Sequence, residues 1–270
     1  MMNISKKNIG IIGLGNMGEA IILGLLKHVD SGKITGFDKD QNKCKKISDK
    51  IKISDSGESL IQNSDIIVLA VKPDIIPLIC KDIKDSISND KIIISIAAGI
   101  TIASIEKIIG SDKKVIRVMP NTPALVNEGM TAISNNNSVN KQDLELGREI
   151  FSSIGKVIIV DEKYLDAVTA VSGCGPAYVF TIIQALADAG VKLGLSRQDS
   201  ELLASQTLYG AAKMVMETKE NPISLRNKVT SPGGSTIEAV FELEKSGLSG
   251  ILISAVEKAE KKSRELGETK

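Results

Sequence analysis

Residues 9–18 read Ile9-Gly10-Ile11-Ile12-Gly13-Leu14-Gly15-Asn16-Met17-Gly18. An apolar run enters a GxGxxG turn, and a helical pattern leaves it at Met17. A dinucleotide needs that order. Gly13 allows a tight turn, Gly15 lets the backbone approach a pyrophosphate, and Gly18 lets the next helix pack closely on the sheet. Free N–H groups at the helix N-terminus then face the phosphates. A glycine-rich turn alone is weak evidence. Its place between a strand and a helix carries the reading of a dinucleotide site in an α/β fold.

Outward from this turn, short apolar runs alternate with helical stretches. Strands are expected at Asn8–Ile12, Ile34–Phe37, Ile66–Val71, Lys91–Ile96, Val115–Val118, Thr131–Ser134 and Lys156–Val160. Helices are expected at Met17–Lys27, Lys39–Ser48, Ile75–Ser86, Ile102–Ile109 and Lys141–Ile154. Ile66–Val71 and Lys91–Ile96 are almost continuously apolar, as strands of a parallel sheet covered on both faces must be. The pattern changes near Asp161, after which no convincing strand is found. Helices are read at Tyr164–Val171 and Ala177–Leu193, from a cap at Ser196 to about Thr218, at Thr236–Lys245, and around Ile251–Ala259. The expected architecture is α/β: a Rossmann-like doubly wound sheet over residues 1–161, then an all-helical domain over 162–270.

Composition removes several classes of function. The chain has 270 residues, 42% hydrophobic and 25% charged, enough for one large or two modest cores. Lys and Arg number 34 against 33 Asp and Glu. That balance argues against general affinity for nucleic acid or an anionic membrane. Cys44, Cys80 and Cys174 lie far apart with no CxxC pair, and His28 is the single histidine. No disulfide framework or metal site is read, and the cysteine usage fits a reducing cytoplasm. No apolar run is read that approaches the ~18–20 residues needed to span a bilayer. The N-terminus enters a strand pattern at once, without signal-peptide architecture. No GxSxG, Cys–His pairing or P-loop occurs.

Open α/β sheets bind ligands beyond the carboxyl ends of their strands. Asp38 follows the second expected strand, where an acid accepts from the adenosine ribose and favours NAD. Lys39 follows it, where a lysine neutralises a 2′-phosphate, so both coenzymes stay open. Further strand ends carry Ala70-Val71-Lys72-Pro73, Ala97-Ala98-Gly99 and Arg117-Val-Met-Pro-Asn121-Thr-Pro123. Each taken singly reads as structural; together on one sheet edge they outline a coenzyme cleft. Lys72 reads as a phosphate or amide contact rather than a base. In the helical half, Val229-Thr-Ser231-Pro-Gly233-Gly234-Ser235-Thr236 opens a helix with hydroxyls and free N–H groups. Such a turn holds a small carboxylate or phosphate; its bland reading is a capped helix start. Val171-Ser-Gly-Cys174-Gly-Pro176 reads as a structural glycine turn opening a long helix.

GLGNMG, LAVKP, SIAAG, RVMPNTP, VSGCGPAYVF, DAGVKLGL and VTSPGGSTI occur in that order between Ile9 and about Leu266. This set resembles the pyrroline-5-carboxylate reductase family. The resemblance implies reduction of the cyclic imine 1-pyrroline-5-carboxylate to L-proline with NADPH or NADH, the last step of proline biosynthesis. It implies a helical dimerisation domain, a homodimer, and rings of five dimers in many members. Asn16 and Met17 would join Gly13, Gly15 and Gly18 at the pyrophosphate, with Asp38 and Lys39 at the ribose. Ala70, Val71, Lys72, Pro73, Ala98, Gly99 and Asn121 would line the coenzyme. Val229, Ser231, Gly234, Ser235 and Thr236 would hold the substrate, with the Thr236 hydroxyl at the ring nitrogen as the catalytic contact. Cys174, Gly57 and Lys228 depart from the family pattern. Two other readings compete. One is a related imine or β-hydroxyacid reductase, for which Lys192 would be the acid–base candidate. The other is a non-catalytic NAD(P)-binding regulator, which damage to VTSPGGSTI would have favoured.

Overall fold

The computed structural model describes residues 3–268. In chain order the first elements are β1 (Ile9–Ile12), α1 (Asn16–Leu25), β2 (Ile34–Phe37), α2 (Gln41–Ile47), β3 (Lys52–Ile53), α3 (Gly57–Gln62), β4 (Ile66–Leu69), α4 (Ile76–Ile83), β5 (Ile92–Ser95) and α5 (Ile102–Ile109). They continue with β6 (Lys114–Met119), β7 (Gly129–Asn135), α6 (Lys141–Ser152) and β8 (Gly155–Ile159). Helices follow: α7 (Leu165–Val168), α8 (Gly175–Lys192), α9 (Arg197–Thr218), α10 (Pro222–Lys228), α11 (Ser235–Lys245) and α12 (Leu248–Glu268).

The strands form one sheet in the order β3-β2-β1-β4-β5-β6-β7-β8. All neighbours are parallel except β6 and β7. Ile9 pairs with both Ile34 and Ile66, and Ile12 with both Phe37 and Leu69. The alternation of side chains along a strand explains the two cores. Ile9, Ile11, Ile66, Val68, Ile92 and Ile94 point to one face, under Ile21, Leu25 and Phe151 of α1 and α6. Ile12, Ile67, Leu69 and Ile93 point to the other, under Leu60, Ile76, Cys80 and Ile105 of α3, α4 and α5. Both faces being covered is why β1, β4 and β5 are buried throughout. The chain leaves β1 toward β2 and returns to add β4 on the other side, so a crevice opens beyond the ends of β1 and β4.

Three short elements differ from the sequence reading. β3 has two residues, too few for any periodicity, and α3 follows it. α10 opens with Asn221 as cap and Pro222 in its first turn. The Val171–Pro176 stretch is not a turn that opens a helix. Thr169–Gly173 forms a π-turn inside a continuous helical stretch, with the Cys174 N–H donating to Thr169 O at 2.8 Å. Gly173 makes room for Met119: a Cβ there would stand 2.6 Å from Met119 Cε.

That continuity also corrects the reading of apolar runs. Glu162–Lys192 is long and apolar enough to cross a membrane by length and composition, and 11% of its most apolar window is buried. Thr169, Ser172, Thr181 and Gln184 interrupt the sequence run, which is why it passes unnoticed in one dimension.

Contacts divide the chain into two units. One runs to Cys174 and resumes at Ala259; the other is Gly175–Lys258. In the first, Glu162 Oε1 accepts from Arg117 Nη1 at 3.0 Å and from the Ile102 N–H at 2.7 Å. Ser263 donates to Asp166 Oδ1 at 2.8 Å. In the second, Gly190 lets α8 and α9 approach: a Cβ there would meet Ser200 Oγ at 2.6 Å. Among the described residues of this unit, Ala187, Ser200 and Ala204 alone are buried, while Phe180, Leu193, Leu202 and Phe241 are exposed.

Candidate active site

The glycine turn is built by crowding. The Gly13 N–H donates to Phe37 O at 2.8 Å, and the Ala70 N–H donates to Ile12 O at 2.7 Å, so the ends of β1, β2 and β4 are tied together. Gly13 has φ +101°, and a Cβ on it would lie 2.4 Å from Ala70 O. A Cβ on Gly18 would lie 2.0 Å from Gly13 O. Gly15 instead faces open space and caps α1 with no side-chain hydrogen bond. The open N-terminus of α1, with Asn16 and Met17 in its first turn, is therefore a bare anion-binding cradle. A dinucleotide pyrophosphate fits it.

Beside the cradle lies a cavity of about 590 Å³. Gly13, Gly15, Asp38, Lys39, Ala70, Val71 and Lys72 line it, so the structure brings together the expected ends of β1, β2 and β4. Pro73 starts a 3-10 turn after Lys72 and fixes the exit of that strand. Asp38 Oδ2 accepts from the Leu14 N–H at 2.8 Å and Oδ1 from the Asp40 N–H at 2.9 Å. Burial pushes the Asp38 carboxyl up, but these two hydrogen bonds and Lys43 outweigh it and hold it below the usual carboxylate range.

Other expected residues sit elsewhere. Gly99 has φ +73° and is buried; a Cβ there would stand 3.5 Å from the Gly267 N, so the last turn of α12 covers this loop. Ala98 beside it is exposed. Asn121 does not line the cavity. Its Nδ2 donates to Ser172 O at 2.9 Å and its Oδ1 accepts from the Met130 N–H at 2.8 Å, joining the β6–β7 connection to the π-turn.

Sequence reading missed most of the far wall of the cavity: Phe37, Lys43, Ile75, Ile79 and Ile83, which stand with Gly57. The spacing of Ile75, Ile79 and Ile83 on one helical face is the signal available for it. The apolar wall suits a flat aromatic base. Gly57, one of the departures from the family pattern, leaves only the Phe37 ring nearby, 3.8 Å from where a Cβ would be.

The second unit holds the other candidate. Gly233 turns the chain with φ +68°, and Gly234 caps α11 with no side-chain hydrogen bond. A Cβ on Gly234 would lie 2.4 Å from Ser231 Oγ, so this glycine keeps the serine against the helix end. Ser231, Ser235 and Thr236 are exposed there, and Thr230 Oγ1 is turned back to Asn227 O at 3.2 Å. Val229 is exposed at the entrance. The arrangement is an open anion seat with hydroxyls around it. Lys228 faces Glu220, at 2.5 Å.

Known proteins match both parts. The model for "Pyrroline-5-carboxylate reductase dimerisation" matches residues 162–266, and that for "NADP oxidoreductase coenzyme F420-dependent" matches residues 8–99. The pyrroline-5-carboxylate reductase of Escherichia coli strain K12 is 41% identical over 98% of this chain and 100% of its own length. That of Arabidopsis thaliana is 40% identical over 97% and 96%. The solved reductase of Coxiella burnetii superposes with a TM-score of 0.92 at 37% identity, covering 96% of this chain and 98% of its own. The Plasmodium falciparum reductase, solved with NADP bound, gives 0.86 at 37% identity, covering 97% and 99%. With a glycine cradle at one sheet edge, an uncapped Ser/Thr helix start in the helical unit and relatives alike along almost their whole length, this chain belongs to the pyrroline-5-carboxylate reductase family of NAD(P)-dependent oxidoreductases.

Proposed function

We propose that the chain reduces the imine bond of 1-pyrroline-5-carboxylate to L-proline with NADPH or NADH. The observation that carries this is the uncapped α11 start, entered through Gly233 and Gly234 and ringed by Ser231, Ser235 and Thr236. A small carboxylate suits it, because no side chain of the cap accepts from the N–H groups of the first turn. The Gly13–Gly18 cradle supports a pyrophosphate, and Ala70, Val71, Lys72 and Pro73 lead from it toward the reacting ring. Ala98, Gly99 and Asn121 shape that end of the sheet.

A coenzyme held by Gly13, Gly15 and the open α1 start would supply the hydride that the imine carbon accepts, the two electrons of the C=N π bond staying on nitrogen. The imine nitrogen is basic and carries its proton in, so the site needs no strong acid. Backbone N–H groups of α11 and the hydroxyls of Ser231 and Ser235 hold the carboxylate. Thr236 Oγ1 accepts from the ring N–H and fixes the face presented. Catalysis is then mostly positioning.

The helical unit is read as half of a homodimer, which in turn builds rings of five. Its exposed apolar side chains, and the match of residues 162–266 to a dimerisation model, support a protein partner. Free thiols at Cys44, Cys80 and Cys174 support a cytoplasmic setting. The test is coenzyme oxidation in the presence of the imine, with proline identified as product. Turnover forming proline is expected. A folded protein that binds coenzyme and forms none would overturn the reading, and a Lys192-dependent oxidation of β-hydroxyacids would put the related reductase in its place.

A further inference from the structure

Two helices start at the sheet edge that carries the glycine cradle, and the chain treats them differently. α1 begins with no side-chain cap. α5 is closed. Thr101 Oγ1 accepts from the Ser104 N–H at 3.1 Å, and Glu162 Oε1 accepts from the Ile102 N–H at 2.7 Å. The same carboxylate oxygen accepts from Arg117 Nη1 at 3.0 Å, and the Arg117 side chain is 7% exposed. A buried cation on β6 thus fixes Glu162 at the first turn of α5, where a helix end favours negative charge.

The β5–α5 loop is therefore held where it enters α5. It is also held at its middle. Gly99 has φ +73°, and a Cβ on Gly267 would lie 3.3 Å from Gly99 O, so the last turn of α12 rests on the loop backbone. Ser263, one turn earlier in α12, is buried and donates to Asp166 Oδ1 at 2.8 Å, four residues after Glu162. Ala97, Gly99 and Ile100 are buried, and Ala98 between them is exposed. A loop with one open residue among packed neighbours takes its shape from what surrounds it. A dinucleotide straddles the switch point of a doubly wound sheet, with its adenosine ribose at the end of β2. The strand order β2-β1-β4-β5 then puts the β5–α5 loop on the nicotinamide side.

Resting on the reading that this chain binds a nicotinamide dinucleotide, we propose that Glu162, fixed by Arg117, is a positioning residue: with the last turn of α12 it holds the β5–α5 loop in the shape that seats the nicotinamide half of the coenzyme. Glu162 and Gly267 act through the loop and not on the reacting atoms.

The test compares two ligands on the full chain: the reduced coenzyme, followed by its fluorescence, and ADP, followed by calorimetry. ADP ends at the pyrophosphate and needs only the cradle side of the sheet. In Glu162→Ala the coenzyme Kd is expected to rise about tenfold, as loss of one charge-assisted contact implies, with the ADP Kd unchanged. Glu162→Gln keeps an oxygen for the Ile102 N–H and is expected to recover most of the loss. Gly267→Val crowds Gly99 O and is expected to show the same contrast between the two ligands. Equal losses for ADP and coenzyme, or an unmoved coenzyme Kd in either variant, overturn the proposal, and proline formation by wild type then leaves the reductase reading standing. A wild type that binds neither ligand overturns both. If Glu162→Ala does not fold, Gly267→Val decides alone: a weaker coenzyme with ADP unchanged supports the proposal, and any other result contradicts it.

Discussion

Thr236 lies in the first turn of α11, where the glycine cap leaves its surroundings open. Its hydroxyl is the one polar group assigned to the imine nitrogen, so Thr236→Ala leaves a substrate N–H without its partner. The expected loss in kcat/KM is at least several-fold, about 1–3 kcal/mol. Thr236→Ser should recover most of it, and coenzyme Kd should not move in either variant. Unchanged kcat/KM in Thr236→Ala would count against the role. Asp38 makes a different kind of prediction. Its carboxyl is held below the ordinary value of about 3.9 in the folded chain. A depressed carboxylate contributes stability that is fully present above the unfolded value and is lost as pH falls through the folded one. Asp38→Asn should therefore lower Tm near neutral pH, and the gap to wild type should close as the solution is acidified below about pH 4. A constant gap would show that the carboxylate's charge is not what holds the turn. At this scale the sequence was most legible where function rests on backbone. Gly13 takes the positive φ of a tight turn, and Gly18 makes the close approach that the motif predicts. Lys43 and Asn121 were illegible for the opposite reason: what they do depends on where a side chain points, which spacing does not encode.

The junction of β1 and α1 is the element whose geometry is most demanding. Gly18→Ala would push a Cβ to 2.0 Å from Gly13 O, which is backbone and has nowhere to go. The turn must open, and coenzyme affinity should fall by at least tenfold, about 1.4 kcal/mol or more. Gly15→Ala meets nothing in the chain itself, so it should leave Tm unchanged and weaken coenzyme only. Paired melting and coenzyme titration of the two variants check this contrast; equal loss of Tm in both would refute it. Long apolar strands and helices were readable because burial on two faces or on one stripe repeats along the chain. Ile102–Ile109 was located to the residue because Thr101 caps it and Gly110 ends it. β3, α3 and α10 were missed because two to seven residues show no period. The π-turn was missed because nothing in Val171–Pro176 distinguishes a widened helical turn from a broken one. Its reason is tertiary: Gly173 has to clear Met119, and Asn121 has to reach Ser172 O.

At the scale of the molecule, the two units are stabilised differently. The first carries two covered cores. The second exposes Phe180, Leu202 and Phe241, and Leu193 is 85% exposed, so its helices lack a core within one chain. A second copy that covers them ties folding to association. Tm should then rise with protein concentration, and Leu202→Glu should shift the sedimenting species toward monomer. A concentration-independent Tm together with a monomeric wild type would contradict the dimer. The change from alternating strands and helices to helices alone was plain in the sequence, since hydrophobic period is a local property. That the helical half is uncovered was not, because exposure depends on what the rest of the fold leaves unburied. The central claim is that a hydride passes from a nicotinamide coenzyme to the imine carbon of 1-pyrroline-5-carboxylate. Deuteride transfer tests it most directly. Turnover of the imine with coenzyme carrying deuterium at the transferred C4 position should give L-proline with one deuterium on the carbon next to nitrogen, away from the carboxylate. Proline without deuterium, or coenzyme oxidation without proline, would contradict it.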